Sequence, residues 1–187
     1  MIRHGPLALA LVLGACAQPP RASVANVEPT GDALADAAAL LAAADNARDA
    51  AARAPLVERL DAMGVTVAKG ESEDPLAAWR AERGDTAATP YRGRALGPAY
   101  RRARVEAGQS VTLEQIFYAG ERAEIVAQAT GDSEIGLAIS NPRTETVCTR
   151  SLKPRAQCRW LPLFTERFSI ELENRGARSA SVYIVIR

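Results

Sequence analysis

The cysteines and the histidine set the first limits on the chemistry of this chain. It contains three cysteines, Cys16, Cys148 and Cys158, and a single histidine, His4. Cys148 and Cys158 enclose nine residues, which is too wide a spacing for a C-x-x-C redox site. We predict that these two cysteines form a structural disulfide. His4 stands so close to the N-terminus that its fate depends on how that end is processed.

The N-terminal stretch carries the pattern of an export signal. Arg3 precedes a short apolar run, residues 7–13, and the run leads into Leu13-Gly14-Ala15-Cys16. This order resembles a bacterial lipobox, in which signal peptidase II cuts before a cysteine that carries lipid. A transmembrane helix needs about 20 apolar residues, roughly twice the length of this run. We therefore expect residues 1–15 to be a lipoprotein signal peptide and Cys16 to be the lipidation site.

Ordinary secretion is the alternative interpretation of the same stretch. Ala15-Cys16-Ala17 also fits a small-x-small cleavage site. Either cleavage removes His4, so the mature chain has no imidazole for a catalytic triad, a Cys-His pair or a zinc site. Either cleavage also leaves Cys148 and Cys158 as an even pair in an oxidising compartment, which favours their disulfide.

The remaining catalytic motifs are also missing from the sequence. There is no Walker A string and no Gly-x-Gly-x-x-Gly after a strand, so we predict no cofactor and no metal. The two lysines, Lys69 and Lys153, do not stand three residues after a serine, as a Ser-Lys nucleophile pattern requires. We predict that the chain is not an enzyme. Pairs of carboxylates are not visible in a sequence, so a carboxylate-dependent hydrolase or its accessory is the alternative.

Two segments of the second half are rich in arginine and lysine. No acidic residue occurs between Glu145 and Glu166. Such segments can bind anionic lipid head groups, lipopolysaccharide, acidic glycan or an envelope protein, and a solvated surface is the alternative. Nucleic acid is not expected as a partner in the envelope. The predicted anion-binding set is Arg92, Arg94, Arg101, Arg102, Arg104, Arg150, Lys153, Arg155 and Arg159.

The first half of the mature chain predicts a tether followed by helices. Residues 16–30 contain three prolines and no apolar period, as a flexible tether does. Residues 31–84 are rich in alanine and form helices by propensity, with Asp32 as the first N-cap and Pro55 in the first turn of a second helix. Asp74 is placed to cap a third helix. We predict that residues 85–98 form a linker.

The second half, residues 99–187, alternates apolar and polar residues with a period of two. Six or seven short strands are separated by turn signals about every ten residues, which is typical of an antiparallel β-sandwich. Four large apolar residues lie within six positions after Cys158: Trp160, Leu161, Leu163 and Phe164. We expect them to pack at the edge of the sandwich core, with Pro162 marking an edge strand or bulge. An exposed ligand patch is the alternative for these residues.

A family resemblance rests on several short motifs in this half. They are Phe-x-x-Gly at 117–120, a Gly-Asp turn before a strand that ends in Asn-Pro, Phe-x-Ile-x-Leu at 168–172, and Tyr183 in the last strand. Together they make the region resemble the bacterial pre-peptidase C-terminal domain, a module often appended to secreted enzymes. The resemblance implies a jelly-roll-like β-sandwich. Some members bind calcium, but residues 132–137 have fewer carboxylates, so calcium is not carried over.

The sequence thus predicts a mainly β protein, with a small Ala-rich helical segment before an antiparallel β-sandwich. We expect it in the cell envelope, lipid-anchored to the outer membrane and facing the periplasm. Secretion as a soluble periplasmic protein is the alternative. The predicted role is a non-catalytic binding or interaction module, and a purely structural envelope protein is the alternative role.

Overall fold

Three helices precede eight long strands in this protein. The computed structural model describes residues 27–84, 97–132 and 134–187. The helices are α1 (Ala33–Asp45), α2 (Ala50–Met63) and α3 (Pro75–Glu82), with a two-residue strand, β1 (Thr66–Val67), between α2 and α3. The other strands are β2 (Ala99–Val105), β3 (Ser110–Phe117), β4 (Ala123–Ala129), β5 (Ile135–Ser140), β6 (Thr146–Leu152), β7 (Arg155–Trp160), β8 (Glu166–Asn174) and β9 (Ala180–Ile186).

The strands form two sheets that pack as a jelly roll. One sheet has the order β1-β2-β9-β4-β7 and the other has the order β3-β8-β5-β6. All neighbouring strands are antiparallel, except that β1 runs parallel to β2. From β2 to β9 the chain changes sheet at every connection except β5 to β6, which is the jelly-roll path. The predicted antiparallel, jelly-roll-like sandwich is confirmed.

The period-two pattern of the sequence marks the residues between the two sheets. Inward-facing side chains from β4, β5, β8 and β9 form one continuous apolar core. The outer face of the five-stranded sheet is apolar as well. Val126, Tyr183 and Val185 on that face belong to a second core, which they share with the helices. All residues of β4 and β9 are therefore buried.

The Ala-rich segment forms a third layer on the outer face of the five-stranded sheet. Asp32 caps α1 as expected, because its side chain accepts hydrogen bonds from the amides of Leu34 and Ala35 at 3.0 and 3.2 Å. The leucines of α1 are fully buried against the sheet, and most of its alanines are buried too. Small alanine side chains allow the helix to lie close to the strands, so the helices and the five-stranded sheet share the second core.

The second helix begins one turn earlier than the sequence indicated. We expected it to start at Pro55, but α2 begins at Ala50, with Asp49 as N-cap and Pro55 inside the helix. The Arg53 side chain supports this earlier start. Its Nε donates to the carbonyl of Ala44 at 3.0 Å, so a side chain of α2 provides a hydrogen-bond partner for a carbonyl group at the end of α1. The sequence carried a local signal for this boundary, because Asn46 follows the end of α1 and Asp49 is a preferred N-cap residue.

The third helix is capped as predicted and is fixed to the sheet by a tyrosine. The Asp74 side chain accepts from the amide of Ala77, and Pro75 is the first helical residue. The buried Tyr100 hydroxyl of β2 donates to Asp74 at 2.7 Å and accepts from the Leu76 amide. Burial and the hydrogen bond to Asp74 raise the pKa of Tyr100. The neutral hydroxyl thus holds α3 against β2.

The segment between the two cysteines consists of parts of two strands, β6 and β7, which a short turn joins across the two sheets. Residues 146–152 form β6 at the edge of the four-stranded sheet, and residues 155–160 form β7 at the edge of the other sheet. The predicted Cys148–Cys158 disulfide is confirmed, with the two Cα atoms 6.1 Å apart. It joins the two sheets. Most of the β6 residues are exposed at a sheet edge, so this strand lacks a clear apolar period.

We expect the disulfide to make a large contribution to stability. Replacing both cysteines by alanine should lower the free energy of unfolding by about 3 kcal/mol, because the unfolded chain gains the freedom of an open loop. Urea unfolding followed by circular dichroism measures this difference. Under reducing conditions the wild type should lose a similar amount, while the double variant should not respond. Equal stability of the oxidised wild type and the double variant would contradict the prediction.

Candidate binding surface

Some of the predicted site residues lie outside the described residues. These are Cys16 with the signal peptide and most of the tether, and also Arg92 and Arg94. No helix in the described ranges is long and apolar enough to cross a membrane. Within the same ranges, no group of three or more histidine, cysteine, aspartate or glutamate residues is arranged to hold a metal ion.

The three described basic residues of β2 are engaged in ion pairs. The pairs are Arg101–Glu71 at 2.6 Å, Arg102–Asp45 at 3.5 Å and Arg104–Glu106 at 2.9 Å. Arg101 and Arg102 are mostly covered, and they connect β2 to the α2–α3 connection and to the end of α1. Arg104 is more exposed, so its pair contributes less to stability. Arg101 and Arg102 therefore hold the helical layer on the sheet.

The basic residues near the disulfide are distributed over β6, β7 and the turn between them. Arg150 donates to the carbonyl of its neighbour Thr149, and Arg155 donates to the carbonyl of Ala35 in α1. Lys153 lies in the turn between β6 and β7 and has no hydrogen-bond or ion-pair partner among the described residues. Because β9 and β4 separate β2 from β7, the two basic segments are about 14 Å apart across the sheet. Anion binding by the whole set stays a prediction.

Arg159 belongs to a network of charged and polar groups at the start of α1. Its guanidinium donates to the buried carboxylate of Glu124 at 2.7 Å and to Asp32 at 2.8 Å. Gln157 donates to the same two carboxylates. Partial burial opposes ionisation of Asp32, but the hydrogen bonds from Gln157 and the helix amides outweigh it and lower the pKa of Asp32. The network fixes the N-terminus of α1 to β4 and β7.

Large apolar side chains are exposed mainly at one end of the sandwich. Leu163 is 80% exposed and Leu161 is 61% exposed, as few leucines of a folded domain are. They lie in the β7–β8 connection, beside the β3–β4 connection. We call this surface the apolar tip, and its residues are Ile116, Tyr118, Leu161, Leu163 and Phe164.

Hydrogen bonds between the two connections make the apolar tip a single unit. The amide of Gly120 donates to the carbonyl of Pro162 at 2.9 Å, and the amide of Ala119 donates to the Thr165 hydroxyl at 3.0 Å. Gly120 has a φ of 72°, a left-handed conformation that glycine adopts without strain. Both connections cross between the sheets here, so they lie side by side where the strands end.

Three aromatic rings support the apolar tip from inside the sandwich. Phe117, Trp160 and Phe168 come from the ends of β3 and β7 and the beginning of β8. Their ring centroids are 4.7 to 5.7 Å apart in tilted and edge-to-face arrangements. Cys148 and Trp160 both pack against the core in this half of the sandwich. The exposed side chains thus project from a firmly packed base.

The expectation for the four apolar residues after Cys158 is correct only for Trp160. Trp160 packs at the edge of the core, but Leu161, Leu163 and Phe164 are exposed, so the core prediction was wrong for these three. The strand β7 ends at Trp160, and the chain then crosses to the other sheet through Pro162. Crossing removes the alternation that would turn every second residue inward. The sequence signal for this exposure was the run of consecutive apolar residues on both sides of Pro162, which does not alternate as a half-buried strand would.

Two hollows of the surface differ in size and position. The hollow beside the apolar tip is small, about 200 Å³, and Ile116, Tyr118 and Arg122 are among its lining residues. Pockets for small ligands usually enclose roughly 300–1,000 Å³. An open hollow of about 660 Å³ lies at the opposite end of the sandwich, around Lys153 and Arg175. The apolar tip is therefore a protruding surface and not a pocket.

Comparisons with known proteins give similarity of fold alone. No family model matches the chain, and no curated protein matches its sequence. Among solved structures, a mitogen from Yersinia pseudotuberculosis has a TM-score of 0.41 at 7% identity, over 48% of this chain and 84% of that chain. The pre-peptidase C-terminal domain of a Bacillus anthracis collagenase has a TM-score of 0.43 at 2% identity, over 48% and 89%. PliG of Aeromonas hydrophila, a periplasmic inhibitor of g-type lysozyme, has a TM-score of 0.36 at 12% identity, over 48% and 86%.

The hydrogen bonds and the charge of Asp32 should make the stability of the folded chain depend on pH. Asp32→Ala removes the N-cap and the charge, and should lower the free energy of unfolding by about 1–2 kcal/mol at neutral pH. Asp32→Asn keeps a capping oxygen but loses the charge and the second oxygen, which accepts from Gln157 and Arg159, so its loss should be smaller than that of Asp32→Ala. Because the pKa of Asp32 is lowered in the folded chain, its contribution is present above the unfolded value of about 3.9 and disappears at lower pH.

Urea unfolding of the wild type and both variants, at neutral pH and at decreasing acidic pH, tests this prediction. The difference between the wild type and Asp32→Asn should shrink as the pH falls through the folded pKa of Asp32. A difference that is the same at every pH would contradict a role for the charge. Asp32→Ala should remain less stable than Asp32→Asn at every pH, because only the alanine lacks the cap.

Proposed function

We propose that this chain is a lipid-anchored, non-catalytic binding module of the cell envelope, and that the apolar tip is its binding surface. The observation that carries the proposal is the group of five large apolar side chains exposed on a firmly packed base. Domains that bind nothing seldom expose large contiguous apolar patches, because contact with water is unfavourable. A rigid base also lowers the entropy cost of binding.

The anchor in this proposal is the lipid on Cys16, at the outer membrane and on its periplasmic side. The lipobox pattern supports the anchor, and the Cys148–Cys158 disulfide fits an oxidising compartment. The described chain begins at Val27, whose carbonyl accepts from Arg59 of α2 at 2.7 Å. Eleven residues lead from Cys16 to this fixed point, and they span at most about 40 Å. Such a tether keeps the sandwich next to the membrane.

The arrangement of carboxylates supports the non-catalytic part of the proposal. A carboxylate hydrolase needs two acids that face one cleft, one of them held protonated by burial. The buried acids of the described chain, Asp36 and Glu124, each have their own hydrogen-bond partners. Asp132 and Glu134 line the hollow of about 660 Å³, but both are exposed to water.

Metabolic labelling with a clickable fatty acid tests the anchor. The full-length wild type should be labelled in its native host, because Cys16 accepts the lipid, and Cys16→Ala should not be labelled. A variant with both Cys148→Ala and Cys158→Ala serves as the control and should keep the label. Unchanged labelling of Cys16→Ala, or absent labelling of the wild type, would overturn the lipid anchor.

Site-specific photo-crosslinking in living cells tests the binding surface. A photoreactive amino acid at Leu163, in the apolar tip, should form covalent adducts, because this surface is expected to be covered by its partner. The same amino acid at Ala107, in the exposed β2–β3 connection at the opposite end, is the matched control and should form few. Equal yields of adducts at the two positions would contradict the tip as the binding surface.

A further inference from the structure

We infer that the partner of the apolar tip is lipid: Tyr118, Leu161, Leu163 and Phe164 insert into the interface of the bilayer to which the chain is anchored. This inference rests on the proposed function, since it takes the lipid-anchored chain as its starting point. It adds a second attachment to the same membrane. With two attachments, the orientation of the sandwich relative to the bilayer would be fixed.

The shape of the tip favours lipid over a small ligand. A groove would shield the residues that line it, but Leu163 and its neighbours have most of their surface in water. The adjacent hollow of about 200 Å³ is smaller than usual ligand pockets. Protruding apolar side chains can enter a fluid interface without a complementary surface, whereas a protein partner must supply a matching cavity.

The side-chain types of the tip also suit the membrane interface. Leucine and phenylalanine are among the residues whose transfer into the bilayer is favourable. Tyrosine is enriched at the interface, where its ring lies among the lipids and its hydroxyl stays near the head groups. The Gly120–Pro162 hydrogen bond holds the connection that carries Tyr118 next to the connection that carries the leucines. One rigid unit therefore presents all of these groups together.

The charges next to the tip indicate insertion that is driven by apolar contact. Glu121 and Arg122 are exposed neighbours of opposite charge in the β3–β4 connection, and Arg187, beside the same hollow, lies 4.0 Å from the carboxylate of Glu124. Within the described ranges, Arg122 has no ion pair, so it is free to contact a lipid phosphate. A surface that is nearly neutral overall gains little from anionic lipids. We therefore expect insertion into neutral bilayers and little dependence on salt.

The length of the tether allows both attachments at once. The nine residues of β8 span about 30 Å, which gives the length of the sandwich. The tether from Cys16 to Val27 reaches at most about 40 Å, which exceeds that length. The tip can therefore reach the bilayer that holds the lipid. Because anchoring raises the local concentration to the millimolar range, weak insertion is sufficient.

Double attachment would give the sandwich a defined direction. The tip lies where β3 and β7 end, and the turn with Lys153 lies at the opposite end of β7. Insertion of the tip turns that opposite end away from the membrane. The hollow of about 660 Å³ around Lys153 and Arg175 would then open toward the aqueous side.

An environment-sensitive fluorophore tests the insertion. The full-length lipidated chain is reconstituted into phosphatidylcholine vesicles, with the fluorophore on Leu163→Cys or, as the matched control, on Ala107→Cys. Emission from position 163 should shift to shorter wavelength and fall about twofold with nitroxide-labelled lipid, because interfacial groups lie about 5–10 Å deep in the bilayer. Emission from position 107 should not change.

Two variants and a salt titration complete the design. Replacing Leu161, Leu163 and Phe164 by serine should abolish quenching of a fluorophore on Tyr118→Cys, whereas replacing Arg150, Lys153 and Arg155 by alanine should leave it unchanged. These side chains are exposed, so circular dichroism should show an unchanged fold. Quenching should persist at about 0.5 M NaCl, where the screening length is only about 4 Å.

The outcomes separate failure of this inference from failure of the proposed function. If the chain does not carry lipid, neither fluorescent variant floats with the vesicles, and the anchor is overturned. If both variants float but position 163 remains in water, insertion is overturned while the anchor stands, and adducts of Leu163 with a protein would then identify a protein partner. Loss of quenching in salt, or in the Arg150/Lys153/Arg155 variant, would overturn insertion by the tip in favour of basic residues.

Discussion

Both faces of the five-stranded sheet are apolar, so β4 and β9 need cover on two sides. The four-stranded sheet covers the inner face, and α1 covers the outer face, where Tyr183 and Val185 are fully buried. Two-sided burial is common for parallel sheets but unusual for antiparallel ones, which often leave one face in water. Without the helical layer, this face would be a large exposed apolar surface. The Ala-rich segment is thus required by the sandwich, and the two regions depend on each other for stability.

The need to hold this helical layer on the sheet explains the positions of several arginines. Arg102 in β2 and Arg159 in β7 lie on opposite sides of the central strands and reach acidic residues at the two ends of α1, Asp45 and Asp32. They hold in place a helix whose small alanine side chains bury little surface of their own. Residues that look like an anion-binding surface in a linear sequence therefore serve in part as internal contacts. The positive charge that remains free is correspondingly smaller.

The jelly-roll path also determines where a binding surface can form. Nearly every connection crosses from one sheet to the other, and two crossings, β3–β4 and β7–β8, lie side by side at one end. The aromatic rings of Phe117, Trp160 and Phe168 fill the space beneath them. The disulfide connects the two sheets in the same half of the sandwich. Rigidity of this end and exposure of its apolar side chains therefore have a common origin, and both properties suit a surface that docks on a membrane or a partner.

The sequence by itself determined the features that depend on local pattern. Alternation marked the inner strands, Asp32 and Asp74 marked helix starts, and two well-spaced cysteines marked the disulfide. Only the tertiary structure decided which arginines are neutralised, because Asp45 and Arg102 are 57 residues apart in the chain. It also decided that Trp160 is covered while Leu163 is exposed, since the chain leaves one sheet between them. Burial at a sheet edge or a crossing depends on what lies opposite in space, and that information is not local in the sequence.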